Sequence, residues 1–382
     1  MHVVGGFYRE LCELPKWDEE FGSGGRAAAF LSGLSEETTF HTYNRNSTSP
    51  GLLRLEKLGV HLRVTPRSTD FVFAYFHALS RPHIEPDFRS IAKEPPIRVE
   101  AKNILLFGFL EGDAIVSGDR VVFDPQSPIC GHKFRNNGSS AQQLVLVLNE
   151  YEALMSSEKE NIQDAASYLL SEHESDVVVI KAGVRGAWVF ERKKPEVHIP
   201  IYHSEKVFKI GTGDIFSAAF SHFWAERKET AAVAADKASR FVSKYCQHPT
   251  LPLPSPDIDR CVPINGTECG SALIVGKANT IGRKYTLQEI AHCVSELGGQ
   301  AIPITAELVS LYSGEETPVL IITDGFLNED INKLRKLFNK SRKVILLVDE
   351  ESKIEKCSKN DREMHVNDFV TSIYKLSWSS MS

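Results

Sequence analysis

Residues 206–220, Lys-Val-Phe-Lys-Ile-Gly-Thr-Gly-Asp-Ile-Phe-Ser-Ala-Ala-Phe, hold the side chains and spacing best suited to chemistry in this chain. A β-type run over Val207, Phe208 and Ile210 is expected to stop at Gly211-Thr212-Gly213-Asp214. A helix should follow, because Phe216, Ala219, Phe220 and Phe223 fall at i, i+3, i+4 and i+7. Two glycines let a backbone turn tightly and approach a ligand, and free N–H groups at a helix start attract negative charge. Asp214 there has two readings: the N-cap of the helix, or a carboxylate held against a phosphate-bearing ligand.

Four more segments could join it. Gly22-Ser23-Gly24-Gly25-Arg26-Ala27-Ala28-Ala29 reads as a glycine-rich turn opening onto a helix of small residues. Asp124-Pro125-Gln126 follows a strand of buried type. Asn149-Glu150-Tyr151-Glu152 follows the apolar run 144–148, and Lys181-Ala182-Gly183-Val184-Arg185-Gly186 follows 177–180. Polar residues just past the carboxyl ends of parallel strands sit where open α/β sheets bind ligands. Asn149 and Glu152 also have the spacing of a capping box, and both readings can hold together. No Gly-x-x-x-x-Gly-Lys-Ser/Thr loop is present.

The elements that must position these residues alternate between short apolar runs and helical patterns. Strands are expected at 3–4, 104–107, 121–123, 144–148 and 177–180, and helices at 27–32, 151–156, 161–170 and 230–245. Continuous apolar strands alternating with helices predict a mostly parallel sheet covered on both faces. Residues 60–76, with Phe71, Phe73 and Tyr75 alternating, look antiparallel and suit a small side sheet or lid. Four prolines within 249–256 mark a domain boundary. Beyond Gly270 a second series predicts a four-stranded parallel α/β domain, so the expected division is 1–256, a linker 257–269, and 270–382.

Composition sets outer limits. A chain of 382 residues, 42% apolar and 25% charged, can bury two cores. A formal net charge of −6 supplies no basic field to neutralise phosphates, which speaks against nonspecific nucleic-acid or anionic-membrane binding. No apolar run reaches the roughly 20 residues needed to span a bilayer. The seven cysteines are scattered and never spaced Cys-x-x-Cys, as expected of reduced thiols in a cytoplasmic protein.

Taken in order, these motifs resemble the ribokinase family, the PfkB-type carbohydrate kinases, over about residues 1–256. Asn-x-x-Glu and Gly-x-Gly-Asp-x-Phe-x-Ala-Ala are the specific parts. The resemblance implies a sugar or nucleoside kinase, moving a phosphoryl group from ATP to a hydroxyl with Mg²⁺. Asp214 would accept the hydroxyl proton, and the amides of Gly211, Thr212 and Gly213 would hold the moving phosphoryl oxygens. Asn149 and Glu152 would organise the metal. Gly183, Gly186 and Lys181 would lie beside the nucleotide phosphates. Glu10 stands where family members usually carry an Asp for substrate hydroxyls, Gly24 and Gly25 match the substrate-side glycine pair, and Arg26 could meet an anionic substrate or lie on the surface.

Departures from the pattern point to a second reading. Phe208-Lys209 replace the family's Asp-Thr, so Lys209 would supply charge in place of a monovalent cation, and Ala29 stands where an Asn usually meets the sugar. A catalytically weak, ligand-sensing or protein-binding member is therefore the alternative. The C-terminal order, with Gly298-Gly299 after the first helix, resembles BRCT-like modules, and fusion to a nucleoside deoxyribosyltransferase-like domain is another likeness. Asp324-Gly325 and Asp349-Glu350-Glu351 lie at strand ends, where they could bind a ligand or be turn and solvated residues, and the whole domain is read as a module for protein binding or self-association.

Overall fold

The computed structural model describes residues 1–126, 133–254, 257–309, 316–348 and 362–381. Asp349, Glu350 and Glu351 lie outside them. The chain divides into two compact units, one of residues 1–204 with 208–263, the other of 205–207 with 264–382. Among the described residues no helix is long and apolar enough to cross a membrane. Cys12, Cys246, Cys261 and Cys293 are free thiols.

The first unit is built on a nine-stranded sheet. Its spatial order is Val197–Ile199, Ala187–Glu191, Val177–Lys181, Ser140–Asn149, Ala114–Asp124, Ile97–Phe107, His2–Val4, Thr38–Asn44 and Val60–Pro66. From Val177–Lys181 to Val60–Pro66 every neighbouring pair is parallel; the two strands at the other edge are antiparallel. Side chains alternate between two cores, as period two requires. Val145, Val147, Val177 and Val179 pack with Phe30, Ile215, Phe220 and Ala235 on one face, whereas Leu144, Leu146, Leu148 and Ile180 pack with Ala153, Ala166 and Leu169 on the other. Fully apolar strands are thus explained by burial on both sides.

Three local expectations are corrected. Residues 206–210 form no strand; the chain runs irregularly into a helix over Thr212–Ser221. The glycines at 22–25 are not a turn ahead of a helix but its first turn, Gly22–Leu31. Residues 60–76 do not act together: Val60–Pro66 is the parallel edge of the main sheet, and Val72–His77 belongs to a separate four-stranded sheet. That smaller sheet, ordered Trp17–Glu20, Arg9–Leu14, Val72–His77, His83–Glu85, is mixed, because Arg9–Leu14 runs parallel to Val72–His77. Alternation predicts a half-buried strand but says nothing about its partner's direction.

The second unit is an all-parallel sheet of five strands rather than four: Gln300–Thr305, Ser271–Gly276, Val319–Ile322, Val344–Leu347 and Glu363–Val366 in spatial order. The fifth, Glu-Met-His-Val, is half polar and gives little apolar signal. Leu273, Val275, Ile321 and Leu346 pack with Ile331 and Leu334 of the helix Asn328–Leu337 and with Phe338, which caps it. Gly298, at φ +86°, follows the end of the helix Ile281–Glu296 in the left-handed conformation that favours glycine. Asp324 forms a two-pronged ion pair with Arg283, in keeping with a turn acid.

Candidate active site

Gly211 has φ +73° and caps the helix Thr212–Ser221, so Asp214 is a third-position residue in the first turn rather than the N-cap. The Thr212 N–H turns back to the Lys209 carbonyl at 3.3 Å. Among the described residues the N–H groups of Gly211, Gly213 and Asp214 have no backbone partner. The anion-attracting set expected at 211–213 is thus shifted, with Thr212 dropping out and Asp214 joining.

Beside this helix start lies a cavity of about 390 Å³. Its lining combines a polar cluster, Asp124, Asn149, Glu152, Lys181 and Lys209, with the apolar side chains of Ala187, Ile201, Phe216 and Val242. Thr212, Gly213, Gly183 and Gly186 complete the wall. Gly186 is required by its backbone, at φ +84°, where an added Cβ would lie 2.1 Å from the Ile199 carbonyl oxygen. The structure therefore gathers Asn149, Glu152, Lys181, Gly183, Gly186, Lys209, Thr212 and Gly213 from three separate segments of sequence.

Charge in the polar cluster is tightly arranged. Asp124 Oδ2 accepts from Lys181 Nζ at 2.8 Å and from Ser217 Oγ at 2.6 Å. Burial opposes the Lys181 charge, but Asp124 and Glu152 outweigh it and hold its pKa above the ordinary value. A Cβ built on Gly213 would sit 3.5 Å from Lys181 Nζ, so the ammonium lies against the helix start. Lys209 has only the Thr212 hydroxyl, at 2.7 Å, as a hydrogen-bond partner among the described residues. Burial lowers its pKa, and Lys181 pushes the same way. Asn149 and Glu152 do form a capping box, with Asn149 Oδ1 accepting from Glu152 N and Glu152 Oε2 accepting from Asn149 N. Burial, with Asp124 adding to it, pushes the Glu152 carboxyl up to about 7.

The remaining predicted residues do not line this cavity. Arg26, expected to meet an anionic substrate or lie at the surface, is fully buried with 0% exposure. Its Nη1 donates to Asp214 Oδ2 at 2.8 Å, and both terminal nitrogens reach Glu10 on the strand Arg9–Leu14. Its charge is spent inside the fold, so none is left to attract an anion. Glu10, expected to meet substrate hydroxyls, is correspondingly a buried partner of Arg26. Asp214 Oδ1 accepts from Gln126 Nε2 at 2.9 Å. Burial pushes the Asp214 carboxyl up to about 6; Arg26 opposes this, and Glu10 and Asp124 reinforce it. Gly24 and Gly25 are explained by packing, since added Cβ atoms would lie 2.8 Å from the Gly5 carbonyl carbon and 2.7 Å from the Phe7 ring.

Ser217 and Phe216 were not anticipated. The available signal was position, because they lie two and three residues beyond Asp214 on the same helix. Ser239 and Val242, on the helix Ala231–Gln247, had none. Gly211 carries a prediction of its own. A Cβ there would fall 2.1 Å from Arg26 Nε, on a left-handed backbone that costs a side-chain-bearing residue about 1–2 kcal/mol. Gly211→Ala should lose at least that much stability and weaken anion binding, read by thermal unfolding with and without ATP.

The family model described as pfkB family carbohydrate kinase matches residues 117–251. In fold the chain is similar to aminoimidazole riboside kinase from Salmonella enterica, with 16% identity, a TM-score of 0.51, and coverage of 68% of this chain and 98% of that one. It is also similar to adenosine kinase from Sinorhizobium meliloti, with 12% identity, a TM-score of 0.50, and coverage of 67% and 96%. No curated protein matches the chain. These likenesses are of fold, a ribokinase-like α/β architecture, and they leave a C-terminal region outside.

Proposed function

We propose that the first unit, whose fold is ribokinase-like and whose residues 117–251 match the pfkB carbohydrate kinase model, transfers a phosphoryl group from ATP to a hydroxyl of a sugar or nucleoside. The observation that carries this reading is the cavity itself. Two lysines and the free amides of a glycine-started helix meet in its wall, together with apolar side chains that suit a nucleobase. Preorganised donors at the point where charge develops on oxygen are what phosphoryl transfer demands of a protein. Inorganic pyrophosphate would leave those apolar side chains without a partner, which favours a nucleotide donor.

Magnesium suits the carboxylates of Asp124 and Glu152 in the cavity wall. Asp124 and Glu152 crowd one another, and the raised Glu152 pKa is relieved when a divalent cation neutralises the pair. Bound there, the ion would neutralise donor phosphate charge, held by Glu152 with Asn149 orienting it through the capping box. Asp214 would take the acceptor proton, and Lys181, Lys209 and the helix amides would bind and orient the phosphates. Because Glu152 binds metal as the carboxylate, magnesium-ATP affinity should rise as pH passes upward through about 7. Without metal the same group weakens the fold over that range, since burial penalises its charged form. Glu152→Gln should remove the pH dependence and cost about 10–100-fold in metal affinity, read by calorimetric titration of Mg²⁺ with ATP at pH 6 and 8. The cap survives in this variant, because Gln can return the same hydrogen bond.

A second reading, a kinase-fold protein with little turnover, is favoured by one observation: both Asp214 oxygens are already engaged. Incubation with ATP, Mg²⁺ and a panel of nucleosides and sugars separates the two. ADP formation dependent on an acceptor supports the kinase, whereas thermal stabilisation by ATP without ADP supports the binding protein. The second unit is read as an accessory module for protein binding or self-association, supported by side chains such as Ile281, 92% exposed, and Leu327, 70% exposed. Sedimentation of the full chain, compared with Ile281→Glu, checks the self-association arm.

A further inference from the structure

Resting on the kinase reading above, we propose that Arg26 is a positioning residue that keeps Asp214 from accepting a proton until the small sheet's Glu10 draws the guanidinium away. Arg26 Nη1 occupies Asp214 Oδ2 at 2.8 Å, and Gln126 occupies Oδ1 at 2.9 Å. A buried guanidinium at that distance stabilises the carboxylate and so weakens it as a base. Neither oxygen then faces an incoming hydroxyl without a competing donor.

The other side of the guanidinium is held by Glu10, through Nη1 at 3.2 Å and through a closer contact from Nη2. Glu10 belongs to the small sheet, whereas Arg26 and Asp214 belong to the helices Gly22–Leu31 and Thr212–Ser221. A shift of the strand Arg9–Leu14 therefore alters how Arg26 is shared between the two acids. The arrangement is also incompletely satisfied, because Arg26 Nε is buried without an acceptor and lies against Gly211. A buried donor left unmet raises the free energy of this state, and a reoriented guanidinium can recover part of it.

In the released state the step is simple to write. The acceptor O–H gives its proton to Asp214 as its oxygen forms a bond to the γ-phosphorus. The bond from that phosphorus to the β,γ-bridging oxygen breaks, and its electron pair leaves with ADP. With water as acceptor the products are ADP and phosphate.

The test uses the full chain with magnesium-ATP and water as the acceptor, at alkaline pH where Asp214 is ionised even without Arg26. Glu10→Gln combined with Arg26→Met removes one negative and one positive charge together, limiting the damage to the fold. ATP hydrolysis should rise about tenfold or more over the unmodified chain, within the span general-base assistance can supply, and should vanish when Asp214→Asn is added. A purely structural Arg26 would give no such gain. Arg26→Lys, too short to bridge both acids, is the second variant and should show a smaller gain. Hydrolysis no faster than in the unmodified chain in either folded, ATP-binding variant overturns the proposal, as does a gain that survives Asp214→Asn. If the unmodified chain makes ADP with an acceptor but the variants show no gain, Arg26's role alone fails. If no form makes ADP despite binding ATP, the kinase reading fails with it.

Discussion

Asp214→Asn is expected to lower the proposed phosphoryl transfer about 10²–10⁴-fold, the range that a positioned general base contributes. ATP binding should persist, because the cavity at the helix start is walled by Thr212, Gly213, Lys181 and Lys209 rather than by the Asp214 carboxylate. The fold should tolerate the change, since Arg26 keeps its two-pronged pair with Glu10. A base must be unprotonated to act, and burial pushes Asp214 up to about 6. Turnover in the unmodified chain should therefore fall as pH drops through about 6, and the Asn variant should lack that limb. The measurement is ADP release against pH with the best acceptor of the panel; a variant with near-normal turnover removes Asp214 from the chemistry.

Arg26→Met should be the most destabilising single change in the first unit. It leaves Glu10 and Asp214, 4% and 8% exposed, buried without their shared cation. Removing one partner of a buried pair typically costs about 3–5 kcal/mol, because an uncompensated charge remains. The sign of the pH dependence follows from Asp214, which loses the cation that opposes its burial. Its folded pKa then rises further above the unfolded one. The variant's stability should be best at low pH and decline as pH rises through that raised value. Thermal unfolding at pH 5.5 and pH 8 reads this directly, and adding Glu10→Gln should restore part of the loss at pH 8. A variant melting like the unmodified chain at pH 8 would show that water reaches the pair.

Much of the fold was legible from local pattern. The runs at 144–148 and 177–180 are apolar at every position, which only a strand covered on both faces requires, and both lie within parallel strands of the main sheet. The Asn149 capping box was legible for the same reason, since its partners are three residues apart. Signals failed where the deciding contact is distant in sequence. Residues 206–210 look like a strand by composition, yet no neighbouring strand pairs with them. The direction of the side sheet depends on Val72–His77 meeting Arg9–Leu14, about sixty residues away. The strand Glu363–Val366 carries two polar residues in four and joins the sheet through its pairing with Val344–Leu347.

The sequence by itself determined the chemistry available at 211–214. A glycine pair, an acid and a helix with apolar residues on its buried side are local requirements, and local geometry enforces them. It also determined, through the spacing of Asn149 and Glu152 and the glycines at 183 and 186, which loops could meet at the strand ends. Only the tertiary structure decided what Arg26 is for. Its 0% exposure and its two carboxylate partners, 16 and 188 residues away, follow from how a helix, a side sheet and a second helix close on one point. A charge buried at such a junction takes its role from the groups that neutralise it, and those are chosen by packing rather than by neighbours along the chain.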